Sequence, residues 1–463
     1  MEKLEKYKKI LIFLNILYFF LILPCESPVM YPMFIDSGYY AYTAQRIKEG
    51  KILYKEIWEA KFPAIYYIYT FLFTLFPESR WTLYFTDITL TILFLLILYL
   101  IFKQYNLQNE YILLIPFLLT VYRVYPSYSG GNLNEHYFIF FFFLTYYFLI
   151  KSNPSKLYMF FIGLTSTISC LFKQNLIFFT LFLLLFFIQK INKDIKFFII
   201  GSFIPLIFFI YVMLKGYPES IDCTIFYPIF WGKENPKSFY KFILDLKFHL
   251  LYGPFLQMII LFILSLFYIK NTKFKKEIFS FSFIPLFILF KTPPSHLHYS
   301  IIFFIPIIFS SLHLLINFRY KKFLFITFLL LTLFPIKFIY LRLKHSAKAL
   351  KIIIIEKDLR NVVNPIAFTI IKHLQDGERF IMNPPDPTIY FYTKTKSSLK
   401  FINFDYSIST YYKKELAREI RKNPPDYIYW DKPISEFEGI FSINKDEYIL
   451  EKVDENFYKF KLK

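Results

Sequence analysis

Residues 130–151 read G-G-N-L-N-E-H-Y-F-I-F-F-F-F-L-T-Y-Y-F-L-I-K. A polar turn carrying one carboxylate runs into an unbroken apolar block, and Lys151 closes it. Blocks of this kind recur along the chain at the length an α-helix needs to cross a hydrocarbon core. The 463 residues are 56% hydrophobic, with a mean hydropathy of +0.42. A soluble chain would break that apolar content into core stripes. The fold predicted is a polytopic α-helical membrane protein. The 63 Phe and 39 Tyr accompany an equal excess of Ile and Lys, so most rings are expected to face lipid or pack between helices.

The formal net charge is +20, but the lysines do not form one basic face. They cluster at the ends of apolar blocks, the positive-inside pattern, which points to membrane lipids as partners and away from nucleic acid. With Lys3, Lys6, Lys8 and Lys9 on the inside, crossings fall at 10–25, 82–102, 111–126, 136–150, 157–172, 175–188, 197–214, 248–269, 278–292, 299–317 and 323–342. That is about eleven transmembrane helices, with a cytoplasmic N-terminus and an extracytoplasmic tail. The N-terminal segment resembles a signal peptide, but no small-x-small site follows, so it is read as an uncleaved helix. Segments 157–172 and 175–188 are short: sixteen residues reach only about 24 Å. Lys173 at their apex should sit below the outer surface, where it needs water, a cavity or an anion.

Two domains follow. Residues 1–344 form the transmembrane part, including a long outer first loop at 26–80, and residues 345–463 form a small extracytoplasmic α/β domain. In the loop, 41–50 predicts a short amphipathic helix stopped by Gly50, and 63–76 a helix lying at the membrane interface, opened by Pro63. A second outer loop, 215–247, carries Trp231. In the tail, Asn364-Pro365 and Gly377 bound a helix, residues 379–383, 388–392 and 426–430 read as strands, and 409–422 as a second helix. The 11 glycines form neither a P-loop nor a dinucleotide pattern. Cys25, Cys170 and Cys223 form no C-x-x-C, so neither zinc nor a redox pair is indicated.

Several polar residues fall at one expected leaflet. Asp36, in D-S-G-Y-Y, reads as a helix N-cap or as a general base facing a membrane substrate. Lys61, in W-E-A-K-F-P, either snorkels or joins a helix N-terminus to hold phosphate. Glu135 stands in the short outer turn, His298-Tyr299 follow Pro293-Pro294, and Arg80 with Trp81 reads as an interface anchor. Asp36, Lys61, Glu135, Lys173 and His298 at one depth predict a shared cavity.

D-S-G-Y-Y, K-F-P-A-I-Y-Y, G-G-N-L-N-E-H, G-L-T-S-T-I-S-C-L-F-K-Q-N and H-L-H-Y-S-I-I-F-F-I-P, taken in order, resemble the motifs of the C-superfamily glycosyltransferases that use polyprenyl-phosphate sugars. The similarity is to the branch related to protein O-mannosyltransferases and the lipid A aminoarabinose transferase, and it spans nearly the whole chain. It departs in three places: Ser37 stands where a second acid is common, K-F-P replaces K-P-P, and Glu135 replaces Asp. The resemblance implies transfer of a monosaccharide, with inversion, from a polyprenyl-phosphate donor to a lipid, glycan or protein acceptor at the outer face of the cytoplasmic membrane. It implies Asp36 as base, Glu135 as orienting acid, and Lys61, Lys173, His298, Tyr299 and Arg80 on the donor phosphate side. No cofactor or metal is required. A lipid-linked polysaccharide ligase or polymerase and a transporter or flippase are the competing classes.

Overall fold

The computed structural model describes residues 13, 23–30, 33–125, 128, 130–151, 155–234, 238–268, 275–291, 297–318, 321–356, 370, 372–375, 377–383, 386–402 and 410–463. The described residues are 72% helical, with one small sheet near the C-terminus. It divides into two compact units. A helical unit holds residues 1–27, 83–208 and 237–348, and an α/β unit holds 28–82, 209–236 and 349–463.

Among the described residues, four helices are long and apolar enough to cross a membrane: Arg80–Gln104, Ile195–Lys215, Tyr299–Asn317 and Phe323–Ala347. Phe242–Tyr252 and Phe255–Leu266 would be a fifth span if taken together, but they bend by 93° at Gly253-Pro254. These are fewer than the eleven crossings expected. The other apolar helices, such as Lys156–Cys170 and Ile177–Phe186, are shorter, at 15 and 10 residues. Segment 10–25 lies outside the described residues except at residue 13 and its last turn.

The long helices differ in what surrounds them. Every residue from Phe304 to Leu315 is buried, and rings from neighbouring helices close on this one: Phe309 lies 4.9 Å from Phe281 and 4.9 Å from Tyr146. Ile195–Lys215 instead exposes Ile199, Ile200, Phe203, Ile204 and Ile207. An apolar helix face with no protein cover suits lipid contact. This helix meets Lys156–Cys170 through two glycines. A Cβ at Gly163 would lie 2.0 Å from the Phe198 carbonyl oxygen, and one at Gly201 would lie 2.0 Å from that of Phe160. Only glycine permits this backbone approach, the small-residue packing of membrane helices.

The α/β unit carries a five-stranded mixed sheet: β1 (Arg379–Asn383), β2 (Lys396–Ser397), β3 (Tyr427–Trp430), β4 (Tyr448–Asp454) and β5 (Phe457–Leu462), in the order β2-β1-β3-β5-β4. β1 runs parallel to β2 and β3, and β4 and β5 form an antiparallel hairpin. Residues 379–383 and 427–430 are strands as predicted, and the second helix runs Lys413–Lys422. The stretch 388–392 is not a strand. Asp386 caps a helix, Pro387–Thr393, by accepting the Thr388 N–H, and Pro387 occupies its first turn. This start signal overrides the β-rich composition. The helix expected after Asn364 lies outside the described residues apart from its last positions.

The first outer loop belongs to this unit. Its helix, Ile35–Lys48, starts before the stretch predicted and is not amphipathic: Ser37 to Gln45 are all buried. Gly38 lets it approach Thr388, where a Cβ would fall 2.3 Å from the threonine methyl. The Tyr42 hydroxyl accepts the Ser397 N–H at 2.9 Å, and Trp58 donates its N–H to the Lys400 carbonyl at 3.0 Å. Helix Ala64–Leu75 buries Ile65, Tyr66, Tyr69 and Phe73 and exposes Phe71 and Leu75, the one-sided burial of an interfacial helix. All three cysteines are free thiols.

Candidate functional site

In the α/β unit the chemistry gathers around Lys61. Asp36 lies in the first turn of Ile35–Lys48; Phe34 is the N-cap residue, so the capping role is not Asp36's. Its Oδ2 stands 3.5 Å from the Lys61 ammonium, which also donates to the Tyr40 hydroxyl at 2.9 Å and lies 4.8 Å from the centre of that ring. Both charged side chains keep about a quarter of their surface exposed. At 3.5 Å the ion pair is at the long end for a hydrogen bond. Tyr40 is buried and packs edge-on to Tyr66 and Tyr69 of the next helix. Tyr54 donates to the Lys61 carbonyl at 3.0 Å, fixing the backbone beneath the ammonium.

Glu59, two residues before Lys61, was missed by the sequence reading. It is buried and accepts the N–H groups of Ala60 and Lys61 at 2.8 and 3.2 Å. Burial pushes its carboxyl above the usual range, and the neighbouring Lys61 only partly opposes this. Its place in W-E-A-K was the signal: a carboxylate two positions before a lysine already singled out. Arg80 donates to the Pro28 carbonyl at 2.7 Å, tying the two ends of the loop, and Trp81 is exposed.

In the helical unit, Glu135 opens helix Asn134–Ile150, where a carboxylate complements the helix dipole. Lys173 sits just before the short turn Gln174–Leu176, and its ammonium meets Glu135 Oε1 at 2.7 Å. The Tyr299 ring covers that ammonium at 3.6 Å. Glu135 and Lys173 are 1% and 6% exposed, so this is a fully protein-enclosed pair. Beside Glu135, His136 accepts the Leu133 N–H and packs against Tyr122 and Tyr128. The side chain of His298 lies outside the described residues.

A second buried ionic group in this unit was also missed. Arg123 sits on a π-helical turn, Thr120–Val124, a distortion common at functional positions. It reaches Asp87 at 2.9 Å, Glu26 at 2.5 Å and the Thr91 hydroxyl at 2.6 Å, and Arg342 also binds Glu26. Asp87 accepts the Tyr128 hydroxyl as well, and a Cβ at Gly131 would lie 2.0 Å from its Oδ1. The network therefore holds the turn that leads to Glu135. A single acid in the apolar run 80–104 and a single arginine in 111–126 were its traces in the sequence.

Asp36, Lys61 and Arg80 thus belong to one unit, and Glu135, Lys173, His298 and Tyr299 to the other. Among the described residues no three His, Cys, Asp or Glu side chains gather as a metal site. No family model, curated protein or solved structure matches the chain.

Proposed function

We propose that this chain is a membrane glycosyltransferase of the cytoplasmic membrane, moving a monosaccharide from a polyprenyl-phosphate donor to a lipid, glycan or protein acceptor on the outer face. The proposal keeps eleven crossings and a cytoplasmic N-terminus. The observation that carries it is the Asp36–Lys61 pair: a partly exposed carboxylate and ammonium 3.5 Å apart, on a framework of buried tyrosines. Asp36 takes the proton of an acceptor hydroxyl while that oxygen forms a bond to the anomeric carbon. The bond from that carbon to the phosphate oxygen breaks, and the polyprenyl phosphate leaves with the electron pair. Lys61 faces the negative charge that develops on the phosphate. One displacement inverts the anomeric centre. In the helical unit, Lys173 is assigned to an anion of a lipid-linked substrate, with Glu135 and Tyr299 holding it.

The test is incorporation of labelled polyprenyl-phosphate hexose or pentose into lipid, glycan and protein fractions. Asp36→Asn should lower the rate by about 10²–10⁴-fold, the usual worth of a positioned base. Lys61→Met should lower it by about 10²–10³-fold, as for loss of one charge-stabilising donor. An Asp36→Asn rate equal to wild type removes the proposed base.

A further inference from the structure

Away from Asp36 and Lys61, the α/β unit contains a cavity of about 300 Å³. Its walls come from the last two turns of helix Ile35–Lys48, from Glu78, and from the tail at residues 394–396. Arg46, Lys48, Lys394 and Lys396 face only two carboxylates, Glu49 and Glu78, which leaves an excess of two positive charges. Each carboxylate is shared. Glu78 meets Lys48 at 2.8 Å and Lys394 at 3.9 Å, and Glu49 pairs with Arg46 and, at 3.2 Å, with Lys396. Gln45 donates its amide to Glu78 at 2.9 Å.

The cavity is also fixed in shape. The Ser397 N–H to Tyr42 hydroxyl bond clamps the tail onto the helix. Lys394 holds a left-handed backbone (φ 56°), rare for a residue with a side chain, and donates to the Glu78 carbonyl at 3.0 Å. This conformation ends helix Pro387–Thr393 and fixes where Lys394 leaves it. Burial draws the Lys394 ammonium below its ordinary range, and the shared Glu78 charge does not fully offset this.

We infer that this cavity binds a phosphate monoester dianion, carried either by a lipid headgroup or by a small soluble phosphate ester. Two positive charges in excess balance one such dianion. Four N–H-bearing cations from two segments, the end of helix Ile35–Lys48 and residues 394–396, can surround its oxygens, as phosphate sites do. The volume is at the lower end for small-molecule sites, enough for the phosphate and a small substituent. This stands independently of the transferase reading and of any role for Asp36.

The full-length protein in zwitterionic nanodiscs is titrated with inorganic phosphate by calorimetry. It is also placed in nanodiscs with and without phosphatidic acid, and phosphorus NMR reports headgroup immobilisation. Binding is expected in at least one arm, and which arm responds identifies the source. Lys394→Gln/Lys396→Gln should weaken that binding at least about tenfold, because it removes two charge-assisted donors. Lys432→Gln/Lys452→Gln removes the same charge elsewhere in the unit and should leave it unchanged. Circular dichroism establishes that both variants fold. No binding in either arm, or equal weakening by the two double variants, overturns the inference.

Discussion

Lys173 is the most constrained charge in the helical unit's candidate site. Its partner is 2.7 Å away, an aromatic face covers it, and solvent reaches almost none of it. Enclosing both charges costs several kcal/mol each, and their mutual attraction and the ring offset that cost. Breaking the pair from one side is therefore severe. Glu135→Gln should destabilise the protein by about 3–5 kcal/mol, read as a lower thermal midpoint. Glu135→Gln/Lys173→Met removes both charges and should recover most of that loss. If the pair serves only the fold, the double variant regains activity along with stability. If Lys173 holds an anionic substrate, stability returns and activity does not. Glu59 offers a different handle. Its carboxyl lies above the ordinary range because it is buried, so the folded state binds its proton more tightly than the unfolded state. Wild-type stability should therefore fall, relative to Glu59→Gln, as pH rises from about 4 through the raised value. Denaturation of both proteins at pH 4.5 and 7.5 checks the sign; a wild type that gains on the variant at higher pH contradicts it.

Elements with a strong local signal were legible in the sequence, and those decided by distant contacts were not. Arg80–Gln104 and Ile195–Lys215 follow directly from long apolar runs. The helix at Ile35–Lys48 was legible as a helix but not as a core element. Nothing local in residues 37–45 says that Thr388, Tyr390 and Ser397, some 350 positions later, will cover them. The stretch 388–392 failed in the opposite way. Its β-branched and aromatic residues suit a strand, but the Asp386-Pro387 start carries more weight because it satisfies an N–H that a strand would pair elsewhere. If that account is right, Asp386→Ala should cost about 1 kcal/mol in denaturant unfolding, as for loss of a good cap. No change would mean that packing of Ile389, Tyr390 and Phe391 alone sets the helix. Asp36 and Lys61 were legible as a pair because a proline-bounded helix and an acidic helix start are local features. Arg123 was hidden because its partners come from two other segments, Glu26 and the helix Arg80–Gln104 that carries Asp87 and Thr91.

At the scale of the molecule, the α/β unit constrains how the chain can thread a membrane. Residues 28–82, 209–236 and 349–463 cluster as one compact unit, and the proposed function puts that unit on the outer face. The chain between them must then cross an even number of times. Between 83 and 208, two long helices satisfy this directly, and the six crossings read from the lysines satisfy it as well. Between 237 and 348, Tyr299–Asn317 and Phe323–Ala347 make two. The bent pair Phe242–Tyr252 and Phe255–Leu266 can add a crossing only if another helix joins it, and the 17-residue Lys275–Lys291 is the candidate. At 1.5 Å per residue that helix reaches about 25 Å, a few ångström short of the roughly 30 Å hydrocarbon core. Single cysteines at the exposed positions Lys55, Tyr217 and Lys432 should therefore react with a membrane-impermeant maleimide from the same side. A cysteine at Lys156 should react from the opposite side, because it follows a short lysine-bearing connection on the expected inner face. Labelling of the first three from different sides would break the parity argument. Labelling of all four from one side would keep the α/β unit and overturn the lysine-based orientation.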